Sequence, residues 1–151
     1  MSSFVETSVL IRLANETDPL CSITLDALAT LNSRGETLYI APQNLIEFHN
    51  VATRPTEVNG LGFPFTVAEE MAELFEDLFT LLPENDAIFP AWKALVKVGG
   101  VIGKQVHDAR LVAICQVYNI NQIVTFNARH FIRLASFVPG LTVIDPRTVQ
   151  P

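Results

Sequence analysis

Apolar positions along the chain fall into two alternating patterns: short runs bounded by turn residues, and longer stretches with helical spacing. Phe4-Val5-Glu6 reads as a short strand, and Ser8 is placed to cap a helix running to about Asn15. Asp18-Pro19 opens a second helix through Leu31, closed by Arg34-Gly35. Thr37 to Ile40 forms a strand, and Pro42 starts a helix that ends before Pro55. Residues 55–65 are rich in proline and glycine and read as a loop. Thr66, with Glu69 three residues on, predicts a capped helix to about Asp77. Phe79 to Leu82 is a candidate strand stopped by Pro83, and Phe89 to Val98 a helix. Gly99, Gly100 and Gly103 form a connector. The stretch from Val106 to Tyr118 is apolar nearly all round, which predicts a deeply buried helix. Ile123 to Phe126 is a strand, a short helix covers about Arg129 to Leu134, and Leu141 to Asp145 is the last strand.

Strand alternating with helix throughout predicts an α/β fold: a three-layer α/β/α sandwich around a central, mostly parallel sheet of four or five strands. No linker or internal repeat divides the chain, so residues 1–151 are expected to form a single domain. Binding sites in such sheets lie beyond the carboxyl ends of the strands. Glu6 ends the first strand and Asn127 follows the Ile123–Phe126 strand, so both should reach the same edge.

Composition sharpens this picture. Hydrophobic residues are 49% and charged residues 17%, as suits a layered fold with much of its structure buried. No apolar run approaches the roughly 18 residues of a membrane span. The first apolar stretch contains Glu6 and Arg12 with no basic leader, so it is not read as a signal peptide. Two cysteines inside helical stretches do not make a disulfide framework, and a cytoplasmic chain is expected. The net charge of −6 is uneven. Residues 1–92 hold fourteen acids against three bases, whereas residues 93–133 hold six bases against one acid, Asp108. A basic segment in an acidic protein is a candidate phosphate footprint.

Three carboxylates interrupt apolar stretches: Glu6, Glu47 and Asp108. An ionised carboxylate in apolar surroundings is costly unless compensated, and a shared metal ion is one compensator. Each also has a plainer reading. Glu6 fits a strand end, Asp108 a helix cap, Glu47 a solvated helix face beside Asn44 and Asn50, and Asn127 a turn. Gly99 to Gln105 imitates a phosphate-binding loop but lacks its spacing and its hydroxyl residue, so nucleotide binding there is rejected. His49, His107 and His130 are not spaced as a zinc set with the cysteines.

Four segments in register resemble the motifs of PIN-domain proteins, in particular VapC-like ribonuclease toxins. They are Val5 to Leu13, Ile40 to Phe48, Val106 to Ala113 and Val124 to Phe131. The resemblance implies an acidic pocket holding Mg²⁺ or Mn²⁺ and endonucleolytic cleavage of RNA. Glu6, Asp108 and Glu47 would be the metal-site acids, and Asn127 would complete the catalytic set. Glu6 and Asp108 would bind the ion directly, and Glu47 would act through water or as a base. Lys104, Arg110 or Arg129 would hold the RNA backbone. A homodimer and a small antitoxin partner are also implied. Glu6 is one methylene longer than the aspartate usual in the family, and His130 stands where the family often has an acid. These two departures motivate a second reading, a catalytically weakened PIN-fold domain that binds RNA or protein.

Overall fold

The computed structural model describes the chain from Met1 to Pro151. Five strands, β1 (Ser2–Val5), β2 (Thr37–Ile40), β3 (Thr80–Leu81), β4 (Gln122–Val124) and β5 (Thr142–Ile144), form one sheet in the order β3-β2-β1-β4-β5. Every neighbouring pair is parallel. Seven helices connect them: α1 (Thr7–Ala14), α2 (Leu20–Ser33), α3 (Pro42–Thr53), α4 (Phe65–Leu78), α5 (Ile88–Gly99), α6 (Gln105–Val117) and α7 (Ala128–Ala135). The expected three-layer α/β/α sandwich is the fold observed.

The two-residue period of the strands sorts the core into two halves. Phe4, Tyr39, Ile123 and Val143 face one side, where they meet apolar residues of α5, α6 and α7. Val5, Leu38, Ile40, Val124 and Ile144 face the other, against α1, α2, α3 and α4. Register makes this consistent across the sheet: Phe4 lies level with both Tyr39 and Ile123, and Ile123 with Val143. Helix α6 buries Ala109 and the whole run from Leu111 to Cys115, as its apolar sequence predicts.

Some expected boundaries and caps differ. β1 runs from Ser2 to Val5 and not over Phe4 to Glu6: Ser3 is buried within it and bonded to Glu36 and Gln122, and Glu6 lies just past its end. Ser8 does not cap α1; the Glu6 side chain does, accepting from the Ser8 backbone N–H. Helix α4 starts at Phe65 after Pro64, so the Thr66–Glu69 capping box does not form. Helix α5 ends where Gly100 adopts a left-handed conformation at φ 58° and returns its N–H to the Val96 carbonyl, a geometry that disfavours a side chain.

Phe48 is fully buried on α3, its ring edge-on to Phe75 at 5.0 Å between centroids. Phe48→Ala should lower stability by about 3–5 kcal/mol in a urea titration, since it leaves a cavity between α3 and α4.

Candidate active site

The strand order reverses between β1 and β4: the chain works outward from β1 through β2 to β3, then crosses back to β4 and β5. Such a reversal opens a crevice at the carboxyl ends of the two strands. Glu6 stands at the end of β1, its backbone N–H donating to the Val124 carbonyl at 3.0 Å and so tying it to β4.

The Glu6 side chain is only 5% exposed at the level of the whole residue and is held from three directions. Its Oε1 accepts from the Thr125 hydroxyl at 2.5 Å and the Ser8 hydroxyl at 2.7 Å. Its Oε2 accepts from the Ser8 backbone N–H at 3.0 Å. The same two hydroxyls also receive backbone donors. Phe126 N–H points to Ser8 Oγ at 3.0 Å, and Asn127 N–H to Thr125 Oγ1 at 2.9 Å. The turn between β4 and α7 is thereby laced to Glu6. Burial raises the Glu6 pKa, and these hydrogen bonds oppose that rise.

Glu47 reaches the crevice from the second turn of α3. Its Oε1 accepts from the Thr7 hydroxyl at 2.6 Å and its Oε2 from Gln43 Nε2 at 3.0 Å. Thr7 is oriented in turn by Asn44, which donates to it at 3.2 Å and accepts the Ala41 N–H at 2.8 Å. Asn44 is fully buried, so it does not mark a solvated face as expected. Gln43 splices α3 to α6. Its Nε2 also donates to the His107 carbonyl at 2.9 Å, and its Oε1 accepts from Arg110 Nη1 at 3.0 Å. Arg110 donates its other arm to Glu84 at 2.7 Å.

Asp108 lies in the first turn of α6 and does not cap it; Lys104 occupies that position. Its carboxyl is pushed up to about pKa 6, first by burial, then by the Glu6 charge, with Glu47 adding to the rise. His130 and His107 act in the opposite direction, and His130 Nδ1 stands 3.8 Å from Asp108 Oδ2. Glu6, Gln43, Glu47, His107, Asp108 and Asn127 all line one cleft of about 490 Å³. The four expected catalytic residues therefore share a cleft. Lys104 and Arg129 are exposed and lie outside its lining, while Arg110 stands behind Gln43. Thr7, Ser8, Gln43, Asn44 and Thr125, which orient the acids, were not among the expected site residues. The run Glu6-Thr7-Ser8 and the paired amides after Pro42 were their signal in the sequence.

No group of three or more His, Cys, Asp or Glu side chains is placed to hold a metal ion. The donor chemistry nevertheless fits a hard cation that keeps most of its waters and takes one or two carboxylates. All three acids offer oxygen, and the charges of Glu6 and Glu47 both oppose ionisation of Asp108. Each carboxylate oxygen accepts about two hydrogen bonds. Both oxygens of Glu47 and Oε2 of Glu6 each receive one protein donor and retain capacity for another partner.

An acidic, oxygen-lined cleft at the switch point of a parallel sheet defines a class of sites suited to hydrated divalent cations. A family model described as PIN domain matches residues 3–136, and the chain belongs to that family. Several solved structures share the fold. VapBC2 of Rickettsia felis, bound to a DNA fragment from its promoter, matches at 15% identity over 96% of this chain and 98% of that one, with a TM-score of 0.70. VapBC-1 of nontypeable Haemophilus influenzae matches at 18% over 97% and 98%, with a TM-score of 0.67. VapC20 of Mycobacterium tuberculosis, described as a sarcin-ricin loop cleaving toxin, matches at 19% over 92% and 98%, with a TM-score of 0.61. At these identities the likeness is one of fold. No curated protein matches the chain.

Two measurements test this geometry. Gln43→Leu removes the donor that orients Glu47 and should weaken Mn²⁺ binding roughly tenfold in a calorimetric titration. Asp108 has a folded pKa above its ordinary 3.8, so the folded state is favoured where the carboxyl is protonated and loses that advantage as pH rises through about 6. With EDTA present, Asp108→Asn should therefore match the parent's melting temperature near pH 3.5 and exceed it at pH 8. After allowance for partial exposure, the gain at pH 8 should be about 1–2 kcal/mol.

Proposed function

We propose that this chain, acting as a single PIN-like domain over residues 1–151, is a metal-dependent endoribonuclease and the toxin of a VapBC-type toxin–antitoxin pair. The observation that carries this reading is the convergence of Glu6, Glu47, Asp108 and Asn127 on one cleft at the sheet's switch point. When bound there, Mg²⁺ or Mn²⁺ would supply charge stabilisation at a phosphodiester and an acidified water. Glu6 and Asp108 would be its direct ligands. Glu47, steadied by Thr7 and Gln43, would hold water or take its proton. Asn127 is exposed, with its N–H fixed by Thr125, and its amide orients water or phosphate. Lys104 and Arg129 are exposed and meet the RNA backbone. Arg110 joins them only by releasing Glu84.

The toxin role is supported by matched structures that are complexes of VapB and VapC chains. An apolar groove of about 550 Å³ between α2 and α4 also fits an amphipathic helix of a small antitoxin. Leu25, Leu28, Leu74, Phe75 and Leu78 line it, and Leu25, Leu74 and Leu78 are exposed. A homodimer would cover further exposed apolar residues such as Val98 and Ile102. No helix is long and apolar enough to cross a membrane, and a cytoplasmic location is part of this proposal.

One observation favours the weakened-domain reading: Glu6 is buried and already engaged by three protein donors, which compete with an ion. Cleavage of labelled RNA separates the two. The nuclease reading expects cutting with Mn²⁺, none with EDTA, and a loss of about a hundredfold or more in Asp108→Ala. Equal rates for parent and Asp108→Ala overturn it. If the parent is inert and Glu6→Asp restores cutting, the weakened reading is the correct one.

A further inference from the structure

Helix α5 carries an exposed face that the cleft does not account for. Phe89, Lys93 and Lys97 recur at four-residue spacing and are all exposed, so they form one stripe on the helix, with Phe89 62% exposed. Trp92 stacks against Phe89, with ring centroids 5.7 Å apart and planes at 26°. The indole is partly buried against the core and donates from Nε1 to the Val106 carbonyl at 2.8 Å. That carbonyl lies two residues before Asp108 on α6, so the aromatic pair is fixed to the element that brings Asp108 to the cleft. Helix α5 contains no acidic residue, in a chain of net charge −6 whose α4 alone carries Glu69, Glu70, Glu73, Glu76 and Asp77. The acids that precede α5 are Glu84 and Asp86, and Glu84 is taken up by Arg110.

We infer that the stripe of Phe89, Lys93 and Lys97, backed by Trp92, is the docking track for a single-stranded stretch of the RNA substrate. A base stacks on Phe89, and the two ammonium groups, one helical turn apart at about 6 Å of rise, meet successive phosphates. This rests on the ribonuclease reading and names the form of RNA that site receives. A base within a duplex has both faces covered, so the platform selects unpaired nucleotides. A protein partner covering Phe89 would desolvate two lysines, a residue type depleted at the centres of protein interfaces.

Trp92 is the one tryptophan in the chain, so its fluorescence reports on the track directly. The intact chain is titrated with a single-stranded oligoribonucleotide under EDTA, which prevents metal-dependent cutting. Single strands should quench Trp92, and a duplex of equal length should not. Phe89→Ala should weaken binding roughly tenfold. Replacing Lys93 and Lys97 together by alanine should reduce the slope of log affinity against log salt by about 1.4. Fluorescence anisotropy that shows binding without quenching overturns the proposal, as does an unchanged salt slope in the double lysine variant. So does a dimer that Phe89→Ala converts to a monomer, because the stripe then belongs to a second copy. Cleavage with Mn²⁺ separates the two readings. Cutting that these three substitutions leave unaltered sinks the track and keeps the nuclease. Quenching and a normal salt slope without any cutting keep the track and sink the nuclease.

Discussion

The whole site depends on a carboxylate held where the first strand stops. Glu6 closes β1, caps α1 and receives the hydroxyl of the residue that follows β4, so one side chain joins three parts of the fold. Removing an ionised carboxylate from water is costly unless its oxygens are satisfied, and here three donors satisfy them. Those donors are themselves fixed, because the Phe126 and Asn127 N–H groups bond to the same Ser8 and Thr125 hydroxyls. The crevice at the strand reversal is therefore pinned across its two central strands. Asp108 and Glu47 complete it from α6 and α3.

Bringing acids together in this way works against the stability of the fold. Asp108 bears the visible part of the strain, since burial and the charges of Glu6 and Glu47 all oppose its ionisation. The molecule moderates this with neutral donors and with cations held at one remove. Gln43 separates Glu47 from Arg110 while bonding to both, and its two amide ends are thereby assigned: nitrogen toward the carboxylate, oxygen toward the guanidinium. His107 and His130 favour the Asp108 anion from the other side. What remains unneutralised is a surplus of negative charge facing solvent, which a cation bound in the cleft would relieve.

The features legible in the sequence are those that repeat or that violate a local expectation. Alternation of strands and helices gave the layers, and the apolar run around Leu111 to Cys115 announced a buried helix. Glu6, Glu47 and Asp108 stood out because charge interrupts apolar stretches. The supporting shell was hidden because its residues look ordinary. Asn44 has the sequence of a surface amide and the burial of a core residue, since its bonds run to Thr7, distant in sequence, and to the Ala41 backbone. Ser3 fell outside the expected first strand because its partners, Glu36 and Gln122, are distant in sequence. Sequence shows the charge of Arg110 and not the Glu84 and Gln43 that engage it. Capping failed for a related reason: a tertiary role for Ser8 in the crevice outweighed its local preference.

The extra methylene of Glu6 is best understood through what its oxygens do. A longer side chain has more freedom to lose, yet here that freedom is removed by bonds to Ser8 and Thr125. Its reach lets one carboxylate serve the helix cap and the neighbouring strand together. The cost is in free electron pairs. Two oxygens offer about four acceptor positions. Three are filled, and the remaining one lies on Oε2. Glu6 can thus offer an ion a single direction of approach and cannot chelate it with both oxygens while the network stands. On the proposed reading, Asp108 would be the second protein residue to hold an ion, Glu47 would steady water beside it, and charge stabilisation at a phosphodiester is what the ion would supply. Mg²⁺ and Mn²⁺ accept such terms, since hard ions of this size bind few carboxylates and keep their waters. The longer acid therefore narrows the coordination available to the cleft without closing it.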